Sequence, residues 1–237
     1  MRKKVAILAY RDWAKDVMKE ISFDTNLRKH YDFINIMSKD EFDYKIDEIV
    51  QCEFVFVIGW SWILPKEIVN NAICVGIHPS KLPKYRGGSP LQHQIIGGEK
   101  LGYVSFFILN EEIDKGNILD QLPLDINGNM QDILNRMCSI SVNYFTLLLY
   151  WLLDNPGKDV QYLFSEVEAD ELEASYYPRR KPEQSEIKLE DFQICTAEEL
   201  HNKIRALQDP YPNAFIICKD NTKLYLTRSY VGISKNF

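Results

Sequence analysis

The chain is poor in the features that mark the commonest small catalytic motifs. Its 237 residues hold five cysteines and four histidines. Cys52, Cys74, Cys138, Cys195 and Cys218 are scattered, and no two stand at C-x-x-C spacing. Without that spacing neither a zinc site nor a dithiol redox pair is suggested. An odd number of thiols without a framework fits a reducing cytosol. The glycines nowhere form G-x-G-x-x-G, G-x-x-x-x-G-K-[ST] or G-x-S-x-G. A Rossmann dinucleotide turn, a P-loop and a serine-hydrolase elbow are therefore not indicated. Positive charge is in deficit, with 28 Lys and Arg against 34 Asp and Glu and a formal net charge of −6. A sequence-independent hold on nucleic acid needs a basic surface, although a local basic pocket for phosphate stays open. Long apolar runs are missing too. The run over 5–10 that follows Met1-Arg2-Lys3-Lys4 is too short for a signal-peptide core. The stretch over 144–153 is too short to span a bilayer. The expectation is a cytoplasmic protein with no membrane partner and no metal.

What is present is an ordinary globular composition, 46% hydrophobic, enough for one large domain with a small appendage. Short apolar, β-branched runs predict strands over 5–10, 33–36, 53–59 and 74–77. Helical spacing of Trp13, Val17 and Ile21 separates the first two, and 42–50 reads as helical or irregular. Pro65 opens a short helix through Val69. Further along, 90–96 predicts a helix, 103–109 and 118–124 predict strands, and 130–153 forms one long helical pattern. Ile133, Met137, Ile140, Tyr144, Leu147 and Leu148 are expected to share its buried face. Asn155-Pro156-Gly157 stops it. Thr196-Ala197-Glu198-Glu199 reads as a capping box for a helix through Leu207, followed by a hairpin around Asp220-Asn221. Alternating strands and helices predict an α/β fold, a doubly wound and mostly parallel sheet. The catalytic domain is placed at 1–185 and a small α+β extension at 186–237.

The most informative stretch is His78-Pro79-Ser80-Lys81-Leu82-Pro83-Lys84-Tyr85-Arg86-Gly87-Gly88-Ser89-Pro90, directly after a strand. Its prolines and glycines predict a loop, neither strand nor helix. Open α/β sheets carry their chemistry at the carboxyl ends of strands. Asp114 sits in another polar loop after another strand, so the two loops can meet. A His–Asp pair can move or orient a proton near neutral pH. The alternative is two surface residues that never touch. Trp60-Ser61-Trp62 is either core packing or the wall of a site for a flat heterocycle. Tyr176-Tyr177-Pro178-Arg179-Arg180-Lys181-Pro182 is either a solvated turn or a place to stack a base and pair with a diphosphate.

The stretch from His78 to Gly87, with Ile113-Asp114-Lys115-Gly116-Asn117-Ile118, resembles the signature of the formyltransferases that use N10-formyltetrahydrofolate. These include the methionyl-tRNA, glycinamide ribonucleotide and sugar N-formyltransferases. Ile63-Leu64-Pro65, Pro178-Arg179-Arg180-Lys181-Pro182-Glu183 and Lys203-Ile204-Arg205-Ala206-Leu207 resemble further landmarks, so the likeness spans about residues 5–215. It implies acyl transfer to an amine, with His78 relaying the amine proton and steadying the oxyanion, and Asp114 holding His78. It implies folate along Trp60, Ser61, Trp62 and Ile63 and along Leu109, Asn110 and Asp114. One position departs. The family usually has Asn two residues before the histidine, and this chain has Gly76. Gln92, His93 and Gln94 are the nearest polar substitutes in sequence.

Only about thirty residues follow the helix ending near Leu207, and the chain is acidic, which disfavours tRNA. The resemblance is strongest to the sugar branch. It implies a nucleotide-linked amino sugar, first a dTDP-4-amino-4,6-dideoxyhexose destined for O-antigen or a related surface glycan. Tyr10, Arg11, Lys84, Arg86, Gly87, Ser89, Gln94, Tyr177 and Arg179 are the candidate contacts. A homodimer is expected by analogy. The competing readings are another amine acceptor and a folate- or sugar-binding relative without turnover.

Overall fold

The computed structural model describes residues 2–156 and 170–232. Gly157, the last residue of the expected helix stop, lies outside them. A six-stranded sheet forms from β1 (Lys3–Leu8), β2 (Tyr31–Ile36), β3 (Phe54–Val57), β4 (Ile73–His78), β6 (Leu101–Ile108) and β7 (Ile118–Asp125), in the order β2-β1-β3-β4-β6-β7. The first four strands are parallel. The last two run antiparallel to their neighbours. The sheet is thus mostly parallel as expected, with an antiparallel edge. β6 and β7 are joined directly by the loop that carries Asp114, and no helix intervenes to bring the chain back parallel.

Strand periodicity explains the two layers. Val5 and Ile7 of β1, with Phe54 and Phe56 of β3, join one buried cluster with residues of α1 (Asp12–Phe23) and α6 (Met130–Asp154). Ala6, Leu8, Val55 and Val57 point the other way, toward Phe42 of α2 (Lys39–Tyr44), Ile49 of α3 (Ile46–Ile49) and Ile68 of α4 (Lys66–Asn71). Successive side chains on a strand leave on opposite faces, so a continuous apolar run needs helices on both.

Asn129 and Asp132 cap α6 reciprocally. By length and composition the helix passes for a membrane span. Ten of its side chains are nevertheless buried, among them Ile133, Met137, Tyr144 and Leu148 in the main cluster, so it serves as a core helix. Leu147 corrects the expected stripe: it is 69% exposed. One residue from Leu148, it is turned roughly 100° away on a 3.6-residue helix.

The segment after β4 holds a second correction. Arg86–Gly87 forms a short strand, β5, pairing in parallel with β8 (Tyr176–Tyr177). Tyr85 takes φ +60°, which turns the chain so that the next residues run alongside 176–177. α5 (Pro90–Ile96) follows with proline in its first turn, where its missing N–H costs nothing.

Beyond lie α7 (Asp191–Ile194), α8 (Ala197–Ala206) and the hairpin β9 (Ala214–Ile217) with β10 (Lys223–Leu226). The Thr196–Glu199 capping box opens α8 as expected. Ile187, Ile204, Leu207 and Ala214 make a small core of their own. This part docks on the sheet through polar bonds. Arg205 donates to the Ile126 carbonyl at 2.6 Å, and within α8 its Nε donates to Asn202 Oδ1 at 2.7 Å, which fixes the guanidinium. The Met130 N–H donates to Gln208 Oε1 at 3.0 Å.

Candidate active site

His78 is the last residue of β4 and does not lie in the loop beyond it. Its parity with Cys74 and Gly76 sets it on one face of the sheet, at the carboxyl end where strands stop and backbone groups are freed. Asp114 comes from the loop between β6 and β7, in a left-handed conformation with φ +54°. The two meet with His78 Nδ1 3.5 Å from Asp114 Oδ1. His78 is 6% exposed.

Hydrogen bonding fixes the roles of the ring nitrogens. His78 Nε2 lies 2.8 Å from the Tyr85 carbonyl. A carbonyl only accepts, so Nε2 carries a hydrogen and Nδ1 is the nitrogen left to take or give a proton. Asp114 Oδ2 accepts from the Gly87 N–H at 2.8 Å, and the Asp114 carbonyl accepts from Arg86 Nε at 2.8 Å. The carboxylate is therefore aimed at Nδ1, where it stabilises the imidazolium that forms when Nδ1 binds a proton. Cys74, nearby on β4, is no nucleophile: burial pushes its thiol up to about 12.

A cavity of about 550 Å³ opens over this pair, within the size range of small-molecule sites. Its lining is of mixed chemistry. Trp60, Trp62, Ile63, Leu64, Val69 and Leu109 supply apolar lining, and Glu111 and Glu112 line it as well. The Trp60 indole N–H is buried without a partner, and its ring packs against Tyr10, Phe42 and Trp62. The lining also carries Arg11, Arg179, Arg180 and Lys181, with Leu207, Pro210, Tyr211 and Pro212, and Arg179 donates to Ser61 Oγ, between Trp60 and Trp62, at 2.8 Å. Among the described residues Arg11, Arg179 and Arg180 form no ion pair. Arg180 Nε is buried and unpartnered, and burial draws its guanidinium below the ordinary value. Tyr211 is pushed up by burial, with Arg11 and a bond to Gln92 opposing.

Comparison with known proteins bears on this geometry. Residues 5–140 match the family model described as formyl transferase, and 181–236 match the formyl transferase C-terminal domain. The chain belongs to the formyl transferase family. It is 28% identical over 98% of its length to a methionyl-tRNA formyltransferase of Mycoplasmopsis pulmonis, covering 78% of that protein. The methionyl-tRNA formyltransferase structure from Clostridium thermocellum is 31% identical, with a TM-score of 0.75 over 92% of this chain and 88% of that one. A sugar N-formyltransferase structure from Shewanella shares the fold, with a TM-score of 0.71 over 98% and 99% of the chains at 21% identity.

In this formyl transferase the sequence-chosen residues divide cleanly. His78, Asp114, Trp60, Ser61, Trp62, Ile63, Leu109, Asn110, Arg11, Gly87, Ser89 and Arg179 all reach the cavity wall. The other five are placed elsewhere. Tyr10 sits behind the wall, with its hydroxyl 2.7 Å from Ser61 Oγ and its ring 4.8 Å from that of Trp62. Lys84 points outward and pairs with Glu173 at 3.1 Å. Arg86 is buried and forked onto Glu171 at 2.8 and 2.7 Å. Gln94 is spent on the carbonyls of Pro79 and Pro90 at 2.7 and 3.0 Å. Tyr177 stacks between Tyr85 and His93, at 5.0 and 4.7 Å. Tyr211, Trp13 and Glu171 escaped sequence reasoning. Tyr211 and Trp13 reach the wall from distant elements, and Glu171 follows no motif.

Proposed function

We propose that the enzyme transfers the formyl group of N10-formyltetrahydrofolate to the amine of a nucleotide-linked amino-deoxysugar, with dTDP-4-amino-4,6-dideoxyglucose as first candidate. The unpaired cations on the wall beyond the His78–Asp114 pair carry this reading. In a chain of net charge −6, three arginines without acid partners around one cavity suit an anionic acceptor such as a diphosphate. The apolar and aromatic part of the lining, Trp60, Trp62 and Leu109 among it, suits a flat pterin. When bound there, the folate supplies the formyl carbon. His78 Nδ1 takes the proton that the amine loses as its nitrogen bonds to that carbon. The proton then passes to the departing folate nitrogen, and Asp114 stabilises the charged ring between the two transfers. The product would serve surface-glycan synthesis in the cytoplasm.

Methionyl-tRNA is the second reading, favoured by the names of the relatives above. Purified protein with N10-formyltetrahydrofolate and each acceptor separates the two. The nucleotide sugar is expected to gain one formyl group by mass. Arg180→Gln should raise its KM at least about tenfold, the scale of one charge-assisted contact, with kcat little changed. Formylation of methionyl-tRNA alone would reject the sugar.

Gly76 is explained locally. A Cβ there would lie 2.6 Å from Leu109 Cδ1 and 3.3 Å from Phe107 Cε1, so Leu109 occupies the room a larger side chain would need. Of the three polar substitutes suggested by sequence, only Gln92 lines the cavity. Gly76→Asn is expected to destabilise the protein by about 1–3 kcal/mol through overpacking and to raise the folate KM by displacing Leu109. Adding Leu109→Ala should restore the stability. Urea unfolding and donor kinetics check both.

A further inference from the structure

We infer that Glu171 and residues 175–177 form a positioning strap that sets both members of the catalytic pair through Tyr85, Arg86 and Gly87, without touching substrate. The inference rests on the reading of His78 and Asp114 as the catalytic pair. Both take their orienting hydrogen bonds from these consecutive residues. The Tyr85 carbonyl accepts from His78, Arg86 Nε donates to the Asp114 carbonyl, and the Gly87 N–H donates to the Asp114 carboxylate.

No strand of the main sheet supports residues 85–87. The strap supports them instead. The Tyr85 N–H donates to Ser175 Oγ at 2.9 Å, and the Arg86 N–H donates to the Ser175 carbonyl at 2.9 Å. The Gly88 N–H donates to the Tyr177 carbonyl at 2.8 Å. Glu171 completes the grip by taking both terminal nitrogens of Arg86, which leaves Nε for Asp114. One guanidinium thus joins the strap to the backbone of a catalytic residue. A planar fork with fixed N–H directions makes that three-way link, and an ammonium on a flexible stem does not.

The pair needs such holding. Tyr85 and Asp114 both have positive φ, +60° and +54°, a region that non-glycine residues occupy only where their surroundings impose it. The Arg86 side chain is 8% exposed, so without Glu171 it would be an unpaired buried charge and would leave its place. Its hydrogen bonds to Arg86 hold the Glu171 carboxyl below the ordinary value, which keeps it ionised. Neither Arg86 nor Glu171 lines the cavity, whereas Gly87, Gly88 and Arg179 do, so unchanged KM values separate an effect on the pair from an effect on the cavity wall.

The test compares Glu171→Gln and Arg86→Lys with Glu173→Gln and His78→Gln. Glu173 lies between Glu171 and Ser175 in the chain, pairs with Lys84, and bonds to neither catalytic residue. Two readouts apply to the folded proteins: kcat and KM with N10-formyltetrahydrofolate and dTDP-4-amino-4,6-dideoxyglucose, and the nitrogen-15 spectrum of the His78 imidazole. Glu171→Gln and Arg86→Lys are expected to lose about tenfold to a hundredfold in kcat, the scale of a small misplacement, with both KM values unchanged. Their imidazole spectra should pass from one Nε2–H tautomer to a mixture, while Glu173→Gln matches wild type. If Glu171→Gln and Glu173→Gln give the same kcat and the same spectrum, the strap is refuted. Activity retained in His78→Gln would refute the catalytic reading. The spectra decide on the strap in that case, and also if this acceptor is not formylated.

Discussion

Replacing His78 with glutamine is expected to lower kcat by about 10²–10⁴-fold, the usual share of a positioned acid–base group, while the KM for folate changes little. The reason lies in how the ring is held. Nε2 is committed to the Tyr85 carbonyl, so all proton exchange falls to Nδ1. A glutamine amide can keep a bond to that carbonyl, but its oxygen cannot accept and return a proton near neutral pH. Because glutamine is of similar size, the change should leave the fold intact although the side chain is only 7% exposed, and a melting curve close to wild type is the control. Steady-state formylation followed by product mass gives the number. A kcat within threefold of wild type would mean that Asp114 acts alone or that the amine reacts without assistance.

How far the sequence could lead to this pair depends on how local each signal is. His78 was legible because an apolar strand run ends abruptly in a proline- and glycine-rich loop, a contrast contained in a dozen residues. Asp114 was legible only as a candidate before the family resemblance, since an acidic residue in a loop after a strand does not say which residue it will meet. Arg86 was misread for a physical reason. A basic residue in a catalytic loop looks like a hand for an anionic substrate, and only the fold reveals that Glu171, 85 residues on, already fills it. The pairing of β5 with β8 was invisible, because a two-residue strand has no period to detect. The strand order and the antiparallel edge were likewise out of reach. Periodicity shows that a run is a strand and leaves its direction open. Tyr211 shows the same limit, since it reaches the cavity wall from a stretch that follows the sheet at a distance in the chain.

Gly116→Ala tests how the Asp114 loop is built, and it should cost about 3 kcal/mol or more, at the upper end for overpacking. An added Cβ would run into the carbonyl oxygen of Ile108. That obstacle is backbone and cannot swing aside as a side chain can. It is also pinned on both sides. The Ile108 N–H donates to the Asn117 carbonyl at 2.8 Å, and the Leu109 N–H donates to the Cys74 carbonyl at 2.8 Å. Relief must therefore come from the loop itself, which carries Asp114 two residues earlier. Stability and rate are then expected to fall together: a lower urea midpoint with an unchanged slope, and a reduced kcat in the fraction that remains folded. The glycine of the Ile113-Asp114-Lys115-Gly116-Asn117 motif is on this account a spacer. It lets the chain turn tightly enough against the end of β6 to return a carboxylate to the histidine. A wild-type midpoint for the alanine variant would show that the loop has room to spare, and that Asp114 is positioned by Arg86 and Gly87 alone.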